Sequence, residues 1–144
     1  MKDQPTVSLW LDLDTTLRVL DQLYGQAIES LEISVIEWYV LRALYEQDGQ
    51  RASDLARAVG RPPTSFTPIL DEIEAKGLIE RRASPSDRRS VHIHLTEAGK
   101  RLSKPVQKTA DRIESRLRSA IPDDRRTEFA SLLLALQQPV RDQK

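Results

Sequence analysis

Cysteine is absent from the 144 residues. Disulfides, thiolate metal sites and thiol-based redox sensing are therefore excluded. No apolar run approaches the roughly 18 residues that a membrane-spanning helix needs. The opening residues, MKDQPTVSLW, also lack the apolar stretch of a signal peptide. These absences predict a cytoplasmic protein with no membrane partner. Histidine occurs only twice, and there is no glycine-rich phosphate loop and no metal-ligand spacing. Nothing brings together the acid, base and nucleophile of an enzyme, so neither catalysis nor a cofactor is expected.

Net charge is lacking as well, with 22 Lys/Arg against 22 Asp/Glu. The sum hides an uneven distribution. Residues 1–50 hold three basic and nine acidic side chains, a net of −6, whereas residues 51–104 hold eleven and seven, a net of +4. The positive excess gathers around one polar turn, where Arg81, Arg82, Arg88 and Arg89 flank Ser84-Pro-Ser-Asp87. A basic patch on an otherwise neutral chain is the electrostatic footprint of a nucleic-acid partner, or simply a solvated surface.

What is present is mostly helical patterning. Apolar residues recur at three-and-four spacing from Leu9 to Leu31 and predict an amphipathic helix whose apolar face is wider than one small core requires. Ser34 and Glu37 form a capping-box pair that starts a helix running to about Gln47, with Val35, Trp38, Tyr39, Leu41, Leu44 and Tyr45 available to the core. Asp48-Gly49 ends it. Trp38 and Tyr39 could line a ligand pocket, although core packing is the commoner use of such aromatics.

Three short pieces follow. Ser53 is placed to cap a helix over RASDLARAVG, and Gly60 supplies the left-handed turn that ends it. A second helix opens at Pro62-Pro63 and closes at Gly77. It carries Thr64, Ser65 and Thr67 at its exposed start, with Phe66, Ile69, Leu70 and Ile73 as a packing stripe. Pro68 interrupts the helix hydrogen bonding, which predicts a bend rather than two helices. Two strands, Leu78–Ala83 and Ser90–Leu95, then enclose the basic turn. In the second strand Val91, Ile93 and Leu95 alternate with His92 and His94, which puts the histidines together on a solvent-facing side. Thr96-Glu97 caps a following helix, kinked early by Pro105. Ile121-Pro-Asp-Asp124 breaks it before a last helix lined by Phe129, Leu132, Leu133 and Leu136. Helix, turn, helix and basic hairpin is the layout of a winged helix-turn-helix, which places its second helix in a DNA major groove.

The run from Leu55 to Gly99 resembles the MarR family of bacterial and archaeal regulators. The matching stretches are LARAVG, LDEIEAKGLIERR and SPSDRRSVHIHLTEAG, and IEWYVLRALYEQDG resembles the family's second helix. The resemblance implies a mainly α fold with a small β-hairpin, as one domain over residues 1–144. Its winged lobe would span about 34–104, with dimerisation helices at about 9–31 and 105–138. It further implies a homodimer on a double-stranded, pseudo-palindromic operator, modulated by a small-molecule effector. Arg89 is the implied minor-groove arginine, Asp87 its orienting partner and Arg88 a backbone contact. Residues Arg61 to Thr67 lie where the family reads bases and phosphates. Ser53, Arg61, Thr64, Ser65, Thr67, Arg81, Arg82, Ser84, Asp87, Arg88 and Arg89 make up the expected DNA-binding set. The chain departs from the family's pattern at Pro68, where many members carry an arginine or another polar residue. A winged helix used only for protein interaction is the alternative, but it has no need of four arginines around one turn.

Overall fold

The computed structural model describes residues 8–141. The polar tails read at residues 1–7 and 142–144 lie outside the described residues. The chain divides into two compact units, residues 1–109 and 110–144.

In the first unit, helix α1 (Leu9–Ile28) begins at Ser8, whose hydroxyl accepts the Leu11 amide, and ends in a 3₁₀ turn over Glu29–Leu31. Only Ile28 of α1 is buried, and Leu9, Trp10, Leu11, Leu17 and Val19 are exposed. Helix α2 (Val35–Glu46) starts with the anticipated capping box: the Ser34 hydroxyl takes the Glu37 amide, and the Glu37 carboxylate takes the Ser34 amide at 2.7 Å. Its core side is Trp38, Val40, Leu41 and Leu44, while Tyr39, expected inside, is exposed.

Strand β1 (Gln50–Arg51) leads directly into α3 (Ala52–Ala58), and α4 (Pro63–Ala75) follows. Strands β2 (Ile79–Ala83) and β3 (Val91–Leu95) complete an antiparallel sheet in the order β1-β3-β2. The sheet thus has three strands where two were expected. Leu55, Ala56, Phe66, Leu70, Ile73, Ile79, Ile93 and Leu95 close the core between helices and sheet. The histidines are half-buried rather than solvent-facing. His94 lies 3.7 Å from Asp48 and against Gly49, and the His92 Nε2 has no hydrogen-bond partner among the described residues.

Helix α5 (Glu97–Arg101) is capped by Thr96, whose hydroxyl accepts the Gly99 amide and donates to the Gly77 carbonyl at 2.6 Å. Gly99 is required here, because a Cβ at this position would collide with the Leu78 carbonyl oxygen. The kink expected at Pro105 is instead a break at Leu102, from which α6 (Ser103–Ser119) restarts. Proline lacks the amide that would bond four residues back and is tolerated in a first helical turn, so the chain restarts ahead of it.

In the second unit, the end of α6 and α7 (Arg126–Arg141) flank a 3₁₀ turn over Asp123–Arg125. The Arg126 guanidinium caps α6 by donating to the carbonyls of Arg118 and Ile121. Phe129, Leu132, Leu133, Leu134 and Leu136 of α7 are exposed. No helix of the described residues is long and apolar enough to cross a membrane.

Candidate nucleic-acid interface

The α3–α4 turn is built on backbone geometry. Gly60 has φ +67°, and the Arg61 amide returns to the Ala56 carbonyl at 2.8 Å, closing α3 in the left-handed manner open to glycine. Arg61 projects from this turn, exposed, with no ion pair among the described residues. Pro62 occupies the N-cap of α4 and offers no side-chain cap. The Ser65 hydroxyl folds back onto the Pro62 carbonyl at 3.0 Å. Thr64, Ser65 and Thr67 are exposed. The helix start therefore presents small hydroxyl side chains and its positive dipole end to the outside. Pro68 lies within one continuous helix, as the sequence pattern predicts.

The other end of α4 is anchored. Lys76, its C-cap residue, donates to the buried Glu37 carboxylate at 2.6 Å and to the Glu32 carbonyl at 3.0 Å. Arg81 ties the helix to the sheet: its guanidinium meets Asp71 at 2.6 Å and also Glu74, and its amide donates to Glu74 at 3.2 Å. Strand register explains this. Arg81 pairs with Ile93, and Ile79 with Leu95, so Arg81 shares the inward face of the sheet and points at α4. Arg82, on the outer face, is exposed and paired with Glu80.

At the hairpin tip the pattern reverses. Asp87 accepts the Arg89 amide at 3.0 Å through its carboxylate and the Ser90 amide at 3.0 Å through its carbonyl. Asp87 thus shapes the turn backbone instead of gripping the Arg89 guanidinium. Ser84, expected at the interface, is buried and faces the Ser86 hydroxyl at 3.0 Å. Arg88 and Arg89 are exposed and have no carboxylate partner among the described residues.

Residues 33–91 match the sequence model of the MarR family. The transcriptional repressor CouR bound to a 23-mer DNA duplex superposes with a TM-score of 0.81, at 27% identity over 90% of this chain and 92% of that one. CouR from Rhodococcus jostii RHA1 bound to p-coumaroyl-CoA gives 0.80, at 25% identity over 94% and 95%. The MepR–DNA complex of S. aureus gives 0.87 over 94% and 99%; at 23% identity it speaks to the fold alone. Over residues 33–91 the chain is thus similar to MarR-family regulators.

Within this stretch, Ser53 does not cap α3. The helix begins one residue earlier, at Ala52, with Arg51 in the cap position and no capping side chain. Ser53 is left exposed in the first turn. Arg51 itself was passed over. It is exposed, free of ion pairs among the described residues, and opposite His92 in the sheet. A two-residue strand carries no alternation by which sequence could have found it.

A further feature lies on α2. Tyr24, Trp38 and Tyr39 pack as a ring cluster with centroids 5.1–6.4 Å apart, and the Arg42 guanidinium sits 5.1 Å above Trp38. Burial pushes the Tyr39 hydroxyl pKa up, as do the neighbouring Tyr24 and Asp21, while Arg42 opposes them. Tyr39 and Arg42 also line an open groove of about 290 Å³ with Ala43, Glu46, Ala58 and Val59.

Proposed function

We propose that the protein is a homodimeric transcriptional regulator that docks α4 in the major groove of a pseudo-palindromic operator and lays the β2–β3 wing beside it. The observation that carries this reading is the wing tip, where Arg88 and Arg89 are exposed and without ion-pair partners among the described residues, while Arg81 and Arg82, on the same hairpin, are neutralised. Unpaired arginines on a projecting turn suit phosphates and the narrow minor groove. Arg89 is assigned to the minor groove, Arg88 and Arg61 to the backbone, and Thr64, Ser65 and Thr67 to the major groove. Asp87 holds the turn that aims Arg89, and Arg81 positions α4 against the sheet. The exposed leucines of α1 and α7 supply the dimer interface. The DNA-bound CouR neighbour supports the reading, and the p-coumaroyl-CoA complex supports control by a small effector that favours one spacing of the two lobes. Such a regulator works in the cytoplasm, where bacterial and archaeal DNA lies.

The test is fluorescence anisotropy with the protein's own upstream DNA, in the presence of excess random duplex. Binding of two chains per site that resists the competitor is the expected result. Absence of binding at low salt by a folded dimer would favour the protein-interaction use of the winged helix.

A further inference from the structure

The outward face of α4 is unusual in what it can offer a base. Phe66, Leu70 and Ile73 are buried and define the inward stripe. At helical spacing the opposite stripe is Thr64, Pro68, Asp71 and Ala75, with Thr67 and Ser65 on its flanks. Asp71 is committed to Arg81 and, being anionic, is repelled by phosphate. The groove-facing part is therefore Thr64, Ser65, Thr67 and Pro68, all exposed.

Residues 62–71 hold no Arg, Lys, Asn or Gln, the side chains that read guanine or adenine edges with two hydrogen bonds. The Ser65 hydroxyl proton is already directed to Pro62. The hydroxyls of Thr64 and Thr67 have no partner among the described residues and can each make one interchangeable bond. Pro68 has neither a backbone amide nor a polar side-chain atom, so it presents only ring methylenes. What this surface has in quantity is C–H: two threonine methyl groups and a pyrrolidine ring. The one apolar feature of base edges in the major groove is the thymine C5-methyl.

We infer that the operator half-site is read chiefly through thymine methyl groups, packed against Pro68 and the γ-methyls of Thr64 and Thr67. This rests on the regulator reading above and adds the identity of the bases. Hydrogen bonds from the threonine hydroxyls supplement the contact, while arginines contribute affinity through the backbone and minor groove.

The experiment enriches sites from a random-core duplex library with the full chain. It then measures affinity for the winning duplex, for its copy with every thymine replaced by uracil, and for a copy with guanines replaced by 7-deazaguanine. Each lost methyl contact is expected to weaken binding about fourfold, so a symmetric site losing one per half weakens by roughly tenfold or more. The 7-deazaguanine copy should bind like the parent. Pro68→Ala, which favours the helix rather than disrupting it, should shrink the uracil penalty on the same duplexes and so separate ring contact from altered DNA shape. A specific site that tolerates uracil but weakens with 7-deazaguanine would overturn the inference and leave the regulator reading standing. A library from which no sequence is enriched would bring down both.

Discussion

Arg81 and Arg89 belong to one hairpin and meet opposite fates. At the root, Arg81 is half-buried between two carboxylates of α4; at the tip, Arg89 is exposed and unpaired among the described residues. The root is also where Thr96 bridges Gly77 and Gly99, and where Gly99 lies against the Leu78 carbonyl. The tip has little beyond its own turn hydrogen bonds. Identical side chains thus divide between an ion-paired place on the inward face of β2 and an exposed place in the turn beyond the strands.

The largest effect is expected at the root. Gly99→Ala drives a methyl into the Leu78 carbonyl and should cost about 3 kcal/mol or more in a denaturant titration. A variant as stable as wild type would mean the root is looser than its geometry. Next, Lys76→Met leaves the buried Glu37 carboxylate without its cation. Because Lys76 itself is partly exposed, the loss should be about 2 kcal/mol, below that of a fully buried pair. Arg81→Ala follows at about 1–2 kcal/mol, since both of its carboxylates are partly screened by solvent. Arg89→Ala should change stability by less than about 0.5 kcal/mol. Equal losses for Arg81→Ala and Arg89→Ala would erase the contrast.

A pH dependence sharpens the same region. The Tyr45 hydroxyl donates to the Gly99 carbonyl at 2.8 Å, and burial pushes its pKa up to about 12 from 10.0. The unfolded chain therefore ionises first. The contribution of Tyr45 is whole below about pH 10 and is lost as pH rises towards 12. Tyr45→Phe should flatten that alkaline limb; an unchanged limb would assign it to other groups.

Much of this was legible from sequence wherever the signal is local. The Ser34–Glu37 box, the Gly60 and Gly77 turns and the packing stripe of α4 depend on residues within a few positions of one another. The failures have other causes. β1 is only two residues long, and Pro105 acted through the restart of α6 rather than through a kink. The carboxylate partners of Arg81 lie seven and ten residues away, across a helix–strand junction. That last error had a readable correction. In Ile79-Glu80-Arg81-Arg82, a period of two already sets Arg81 on the face of the buried Ile79. Ser84 and the two histidines were misplaced because tip and sheet burial come from tertiary packing.

The most direct test is the salt dependence of DNA binding for wild type, Arg89→Ala and Arg81→Ala, with each variant's stability measured alongside. Arg89→Ala is expected to lower the slope of log affinity against log salt by about 2 at unchanged stability, because the dimer loses one cation from each half of the site. Arg81→Ala should keep the wild-type slope while losing stability. A wild-type slope and affinity in Arg89→Ala, or a reduced slope in a fully stable Arg81→Ala, would contradict this account.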